Sequence, residues 1–128
     1  MVTSTTNGIT VSVESQYLPE HSNPRGRKYI FGYHISIENG SPNTVQLLRR
    51  KWYITDGTGT MREVEGDGVV GRQPIIAPGD SHEYLSFCNL PTEVGKMSGY
   101  YTMIRTSDGT ELVVEIPEFQ MFTPSLFN

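Results

Sequence analysis

Four residues between positions 66 and 72 have the types and spacing to bind an anion. Gly66, Gly68 and Gly71 fall in the run Gly66-Asp67-Gly68-Val69-Val70-Gly71, a GxGxxG spacing, and Arg72 follows. Glycine has no Cβ, so backbone N–H groups can approach an oxyanion closely, and an Arg–phosphate hydrogen bond would add about 1.5–3 kcal/mol. The ligand class would be a phosphate compound or nucleotide. In a dinucleotide-binding loop, however, the last glycine sits inside a helix whose N-terminus holds the pyrophosphate. Here Pro74 biases Gln73 away from helical angles, and Val69, Val70, Ile75 and Ile76 favour strands. The structural reading, glycines permitting a bulge or bend, is therefore preferred to the anion loop.

Glu63, Glu65 and Asp67 offer a second chemistry. At alternate positions of a strand they share one face, with neighbours roughly 7 Å apart along the backbone. Such oxygen ligands suit a hydrated Mg²⁺ or Co²⁺. The plainer reading is the solvated face of a strand that buries Val64, and no tight metal site is expected. His21, His34 and His82 lack zinc-ligand spacing. Cys88 and His82 would share a strand face, but six residues span about 20 Å, far beyond hydrogen-bond reach. Cys88 reads as buried, His82 as a surface side chain, and no catalytic residue is assigned.

The elements that must position these residues are strands. Ile9, Val11 and Val13 alternate with polar residues, and Tyr29, Phe31, Tyr33, Ile35 and Ile37 form the longest alternation. The segment Val45 to Asp56 follows, with Leu48, Trp52 and Ile54 expected on one face and Trp52 as a core anchor. Asp56-Gly57-Thr58-Gly59 predicts a hairpin into Met61–Glu65. Ala77-Pro78-Gly79-Asp80 reads as a turn before a strand from His82 to Asn89. Ser107-Asp108-Gly109 predicts a hairpin between Tyr100–Thr106 and Leu112–Ile116. No window shows sustained helical periodicity, and the regular short strands indicate an all-β antiparallel sandwich. The polar stretch from Pro19 to Lys28 is the expected mobile loop.

With 128 residues the chain is read as one domain spanning 1–128. It has no apolar run of the ~20 residues needed to span a bilayer, and Met1 to Gly8 lack the pattern of a signal peptide. A single cysteine forbids an intramolecular disulfide and, with the rest, suggests a cytoplasmic protein. The net charge of −4 argues against general nucleic-acid binding. The basic residues cluster in Arg25, Arg27 and Lys28 and in Arg49, Arg50 and Lys51. If Tyr29–Glu38 and Val45–Asp56 paired about the Asn39–Asn43 turn, Arg49–Lys51 would lie opposite Gly32–His34 and Arg25–Lys28 roughly 15 Å beyond. Arg50 shares the parity of Trp52, so it is expected to turn inward and need a carboxylate partner.

Gly66 to Pro74, then Pro78-Gly79-Asp80, Tyr84, Met97-Ser98-Gly99-Tyr100-Tyr101 and Ile116-Pro117-Glu118-Phe119 together resemble the ApaG family, also called CorD. Leu48 to Ile54 is similar to its earlier strand, and the resemblance runs over nearly the whole chain. It implies an immunoglobulin/fibronectin type III-like antiparallel β-sandwich and a genetic link to cobalt and magnesium tolerance. Related domains in eukaryotic F-box proteins look like partner-binding modules. The expectation is a non-catalytic binding module without a cofactor. Its candidate partners are another protein, a second copy of the chain, or a phosphate-containing small molecule held by Gly66–Arg72.

Overall fold

The structure, a computed structural model, describes residues 1–127. Two antiparallel sheets pack face to face, as the period-two pattern and the resemblance both predict. In one, β1 (Val2–Thr6), β2 (Ile9–Tyr17), β3 (Tyr29–Asn39) and β7 (Ser81–Leu90) lie in the order β1-β2-β3-β7. In the other, β5 (Met61–Asp67), β4 (Val45–Asp56), β8 (Val94–Arg105) and β9 (Glu111–Phe122) lie in the order β5-β4-β8-β9, with β6 (Ile75–Ile76) also paired to β4. The alternating side chains of β2 and β3 supply one inner face: Ile9, Val11, Val13, Phe31, Tyr33, Ile35 and Ile37 are all buried. Trp52 meets Tyr33 and Phe119 edge-on between the sheets, at centroid distances of 5.5 and 5.9 Å. No α-helix occurs among the described residues; Pro19–His21, Pro24–Gly26 and Pro124–Phe127 form single 3₁₀ turns. The first two fall in the stretch expected as the mobile loop.

Two expectations are corrected. First, β3 and β4 do not pair: the chain crosses between sheets at 40–44, so Arg49–Lys51 never face Gly32–His34. Asn39 fixes this crossing. Fully buried, it donates to the carbonyls of Asn43 (2.8 Å) and Ile76 (2.9 Å) and accepts from Ser41. Second, Leu48 does not share a face with Trp52. The β4–β8 register shifts between Leu47 and Arg49, so inward residues run Val45, Leu47, then Trp52, Ile54. One extra residue in a strand reverses the parity of everything beyond it.

The two lateral seams of the sandwich differ. Along the β1–β2/β9 seam, side chains bond directly to the β9 backbone. Ser4, Asn7 and Ser15 donate to the carbonyls of Glu115, Val113 and Gln120, and Thr6 Oγ1 accepts from Glu115 N–H. Across the β5/β7 seam the corresponding link, among the described residues, is Arg62, whose Nη2 donates to the carbonyl of Asn89 at 2.6 Å.

Candidate functional site

The GxGxxG segment starts in a strand and ends in a tight hairpin. Val69 N–H donates to Arg72 O at 2.7 Å and Arg72 N–H returns to Val69 O at 3.0 Å. Val70 (φ 47°) and Gly71 (φ 75°) are the central residues. Positive φ at both is the signature of a type I′ turn, which favours Asn-Gly and penalises a β-branched residue. Gly68 (φ 62°) donates to Leu48 O at 2.8 Å, and a Cβ there would lie 2.1 Å from Arg72 O. Gly66 makes room for Arg50. The three glycines and Arg72 thus come together, but the amides of Gly68, Val69 and Arg72 are spent on backbone carbonyls.

Arg50 turns inward, as its parity predicts, but its partners are not carboxylates. Its Nη1 donates to the carbonyls of Asp67 (3.1 Å) and Gly68 (3.0 Å), fastening the hairpin's base to β4. A carbonyl satisfies a partly buried guanidinium N–H as a carboxylate would, without a second charge to desolvate. Beside it lie three inward tyrosines. The hydroxyls of Tyr84 and Tyr101 are 2.5 Å apart, and burial pushes both phenols well above their ordinary range. Burial also raises Tyr33, against a hydrogen bond with Ser86. These phenols stay protonated and act as hydrogen-bonding core groups.

The acidic trio lies on the outer face of β5. Lys51 Nζ sits 3.1 Å from Glu63 and 3.4 Å from Glu65, and these hydrogen bonds, Glu63's foremost, raise the lysine's pKa against a desolvation penalty. Asp67 lies opposite Arg49 in register, at a groove of about 330 Å³ shared with Lys51, Glu65, Tyr100 and Thr102. No cluster of three metal-ligating side chains occurs among the described residues. Val64, expected to be buried, is 39% exposed, because β5 is an edge strand with no neighbour beyond it.

On β7, His82 and Cys88 share one face, as expected, and it is the inner one. His82 is half-buried rather than a surface residue, because even-numbered β7 positions face the other sheet. Its pKa is lowered first by burial and then by the charge of Arg72, which places the glycine hairpin near this end of β7. Burial pushes the Cys88 thiol up, outweighing the nearby Arg62, so it is a poor nucleophile.

The surface that sequence reasoning missed is the other face of β7. Leu85 and Phe87 are 56% and 60% exposed, side by side on the outer face of the four-stranded sheet. They border a groove of about 500 Å³ with Leu18, Gly32, His34 and Glu14. The charged residues on this face of the strands are Glu14, Glu38 and Glu83, with His34 paired to Glu83 at 3.7 Å. Lys and Arg are absent from it. The available signal was the composition of β7: apolar residues occupy both parities, which one buried face does not explain.

The ApaG domain family matches residues 19–105. Protein ApaG of Brucella abortus (strain S19) is 46% identical over 124 residues, covering 97% of this chain and 95% of the relative. Protein ApaG of Afipia carboxidovorans is 44% identical over 126 residues, covering 98% and 96%. A crystal structure of a Bordetella pertussis protein provisionally assigned as ApaA superposes with a TM-score of 0.87 at 43% identity, covering 91% of this chain and 94% of that one.

Proposed function

The chain belongs to the ApaG domain family, and from that premise we propose that it is a non-catalytic protein-binding module whose docking surface is the outer face of the β1-β2-β3-β7 sheet. The observation that carries the reading is the exposed pair Leu85 and Phe87 on edge strand β7, beside an open groove. Single exposed apolar residues are ordinary, but two adjacent ones at a groove rim favour a partner surface. The module works in the cytoplasm. Its effect on cobalt and magnesium tolerance runs through the partner, a reading supported by the engagement of Glu63 and Glu65 with Lys51 rather than with an ion site.

The test is a pulldown from cell extract with the wild-type chain and with Leu85→Ser/Phe87→Ser. A polypeptide captured by the first and lost by the second is then purified and titrated by calorimetry. Capture indifferent to both substitutions sinks the reading. The competing ligand reading, a phosphate compound at Gly66, Gly68, Gly71 and Arg72, has in its favour an Arg72 guanidinium without an ion pair among the described residues. Against it stand the spent amides of Gly68, Val69 and Arg72. Titration with ATP separates the two: millimolar or weaker binding, about −4 kcal/mol, is expected, and low-micromolar saturation lost in Arg72→Ala would favour the phosphate site.

A further inference from the structure

The β7 edge has backbone groups to offer as well as side chains. Ile30 O accepts from Leu18 N–H at 2.9 Å, so the backbone groups of Ile30 point toward β2 and away from β7. Ile30 pairs with Asn89 across β3–β7. In an antiparallel ladder, pairs alternate between exchanging hydrogen bonds and turning them away. Asn89 is therefore turned away from β3, and its carbonyl is free to meet Arg62. By the same alternation the N–H and C=O of Glu83, Leu85 and Phe87 point out of the sheet edge. These are also the residues whose side chains lie on the outer face. Among the described residues no strand covers them, whereas the opposite seam has its β9 edge stitched by four side-chain bonds.

We propose that β7 is a strand-addition site: an extended segment of a partner protein pairs antiparallel with Glu83–Phe87, its apolar side chains against Leu85 and Phe87 and a Lys or Arg side chain opposite Glu83. This rests on the docking surface proposed above and supplies its mode of binding. The commitment to a basic, heterologous partner comes from charge. The strands' outer face carries Glu14, Glu38 and Glu83 and no Lys or Arg, and the chain has a net charge of −4. A second copy paired through β7 would bring two such acidic faces side by side. Main-chain bonds supply affinity in this mode, and alternate side chains supply specificity.

The probe is the peptide Ac-Lys-Thr-Val-Thr-Val-Thr-Lys-amide, whose lysines and valines share one strand face, titrated into the full chain while amide shifts are followed. Shifts should centre on residues 83–87. N-methylation of the two valines, whose N–H groups would face β7, should weaken binding by about tenfold or more, while N-methylation of the central threonine, whose N–H would face away, should change it little. Replacing both lysines with glutamates should weaken it as well. Glu83→Pro should abolish binding at unchanged melting temperature, since proline is tolerated where the N–H faces outward, and Glu83→Gln should weaken it only through charge. Binding lost in Leu85→Ser but indifferent to valine N-methylation would overturn strand addition and leave the docking surface standing. Absence of binding at about millimolar peptide, or a dimer of the chain alone that Glu83→Pro dissociates, overturns the proposal.

Discussion

The guanidinium of Arg50 lies across Gly66, where a Cβ would come within 2.9 Å of its Nη1. The pair is adjacent in the β4–β5 register, so the missing side chain of one residue is the seat of the other. From there Arg50 reaches the carbonyls of Asp67 and Gly68. Gly66→Ala should push the guanidinium off both and cost about 1–3 kcal/mol in a urea melt. In an Arg50→Met background the same substitution should cost little. Equal costs in both backgrounds would show that the glycine serves its own backbone instead.

The other glycines separate by mechanism. Gly71 has a positive φ and open space, so Gly71→Ala should cost only the roughly 1–2 kcal/mol of a left-handed L-residue. Gly68→Ala must also place a methyl group against Arg72 O, and should cost more. Val70 is the reverse case, a β-branched residue held at φ 47° in a turn that favours Asn-Gly. Val70→Asn should therefore stabilise the chain by about 1 kcal/mol. A neutral or negative change would point to a packing role for the valine.

The long alternation of β3 was legible because nothing interrupts it, and Phe31, Tyr33, Ile35 and Ile37 are all buried. Faces were misjudged where a bulge reverses the parity. In β4 this happens around Leu48; β9 carries a second reversal between Ile116 and Phe119, where the register against β8 shifts, and there it hides the strand's end rather than its faces. Pro117 stands at that shift, and a proline at a bulge reads in sequence as the end of a strand. That is why β9 was expected to stop at Ile116 although it runs to Phe122. β1 escaped notice because Val2 is its only apolar residue and hydroxyl-to-backbone bonds do the anchoring. The proximity of Glu63 and Glu65 was legible in their spacing. Their engagement with Lys51 was not, because it depends on which strand lies alongside.

Trp52 sits among Tyr33, Phe119 and the neighbouring core, 2% exposed. Trp52→Ala should remove about 3–5 kcal/mol, mostly through the cavity left between the sheets. A change below about 1 kcal/mol in a denaturant melt would mean that the site collapses around the smaller residue.

Mg²⁺ or Co²⁺ should bind weakly to the β5 face. An ion there must displace Lys51 from Glu63 and Glu65, and three carboxylates along one strand cannot surround it unaided. Lys51→Met should free the carboxylates and strengthen the interaction measurably by calorimetry. Micromolar affinity in the wild-type chain, lost in Glu65→Gln, would give cation tolerance a direct route through this face.

His82 reports on the seam between the glycine hairpin and β7. Burial is the larger cause of its lowered pKa and the positive charge of Arg72 the smaller. A histidine depressed in the fold takes up its proton more readily when unfolded. Its contribution to stability is therefore complete above the unfolded value of about 6.5, and is lost as pH falls from there through the folded value. His82→Gln should flatten the fall in stability between about pH 7 and 5. Arg72→Ala should raise the His82 pKa in an NMR titration, while Gly71→Ala, which keeps the charge, should raise it less. The Arg72 effect should shrink at high salt, because screening removes the charge contribution and leaves burial untouched. An imidazole indifferent to Arg72 at low salt would mean that the hairpin does not lie against β7, and that the seam beyond His82 is open to solvent.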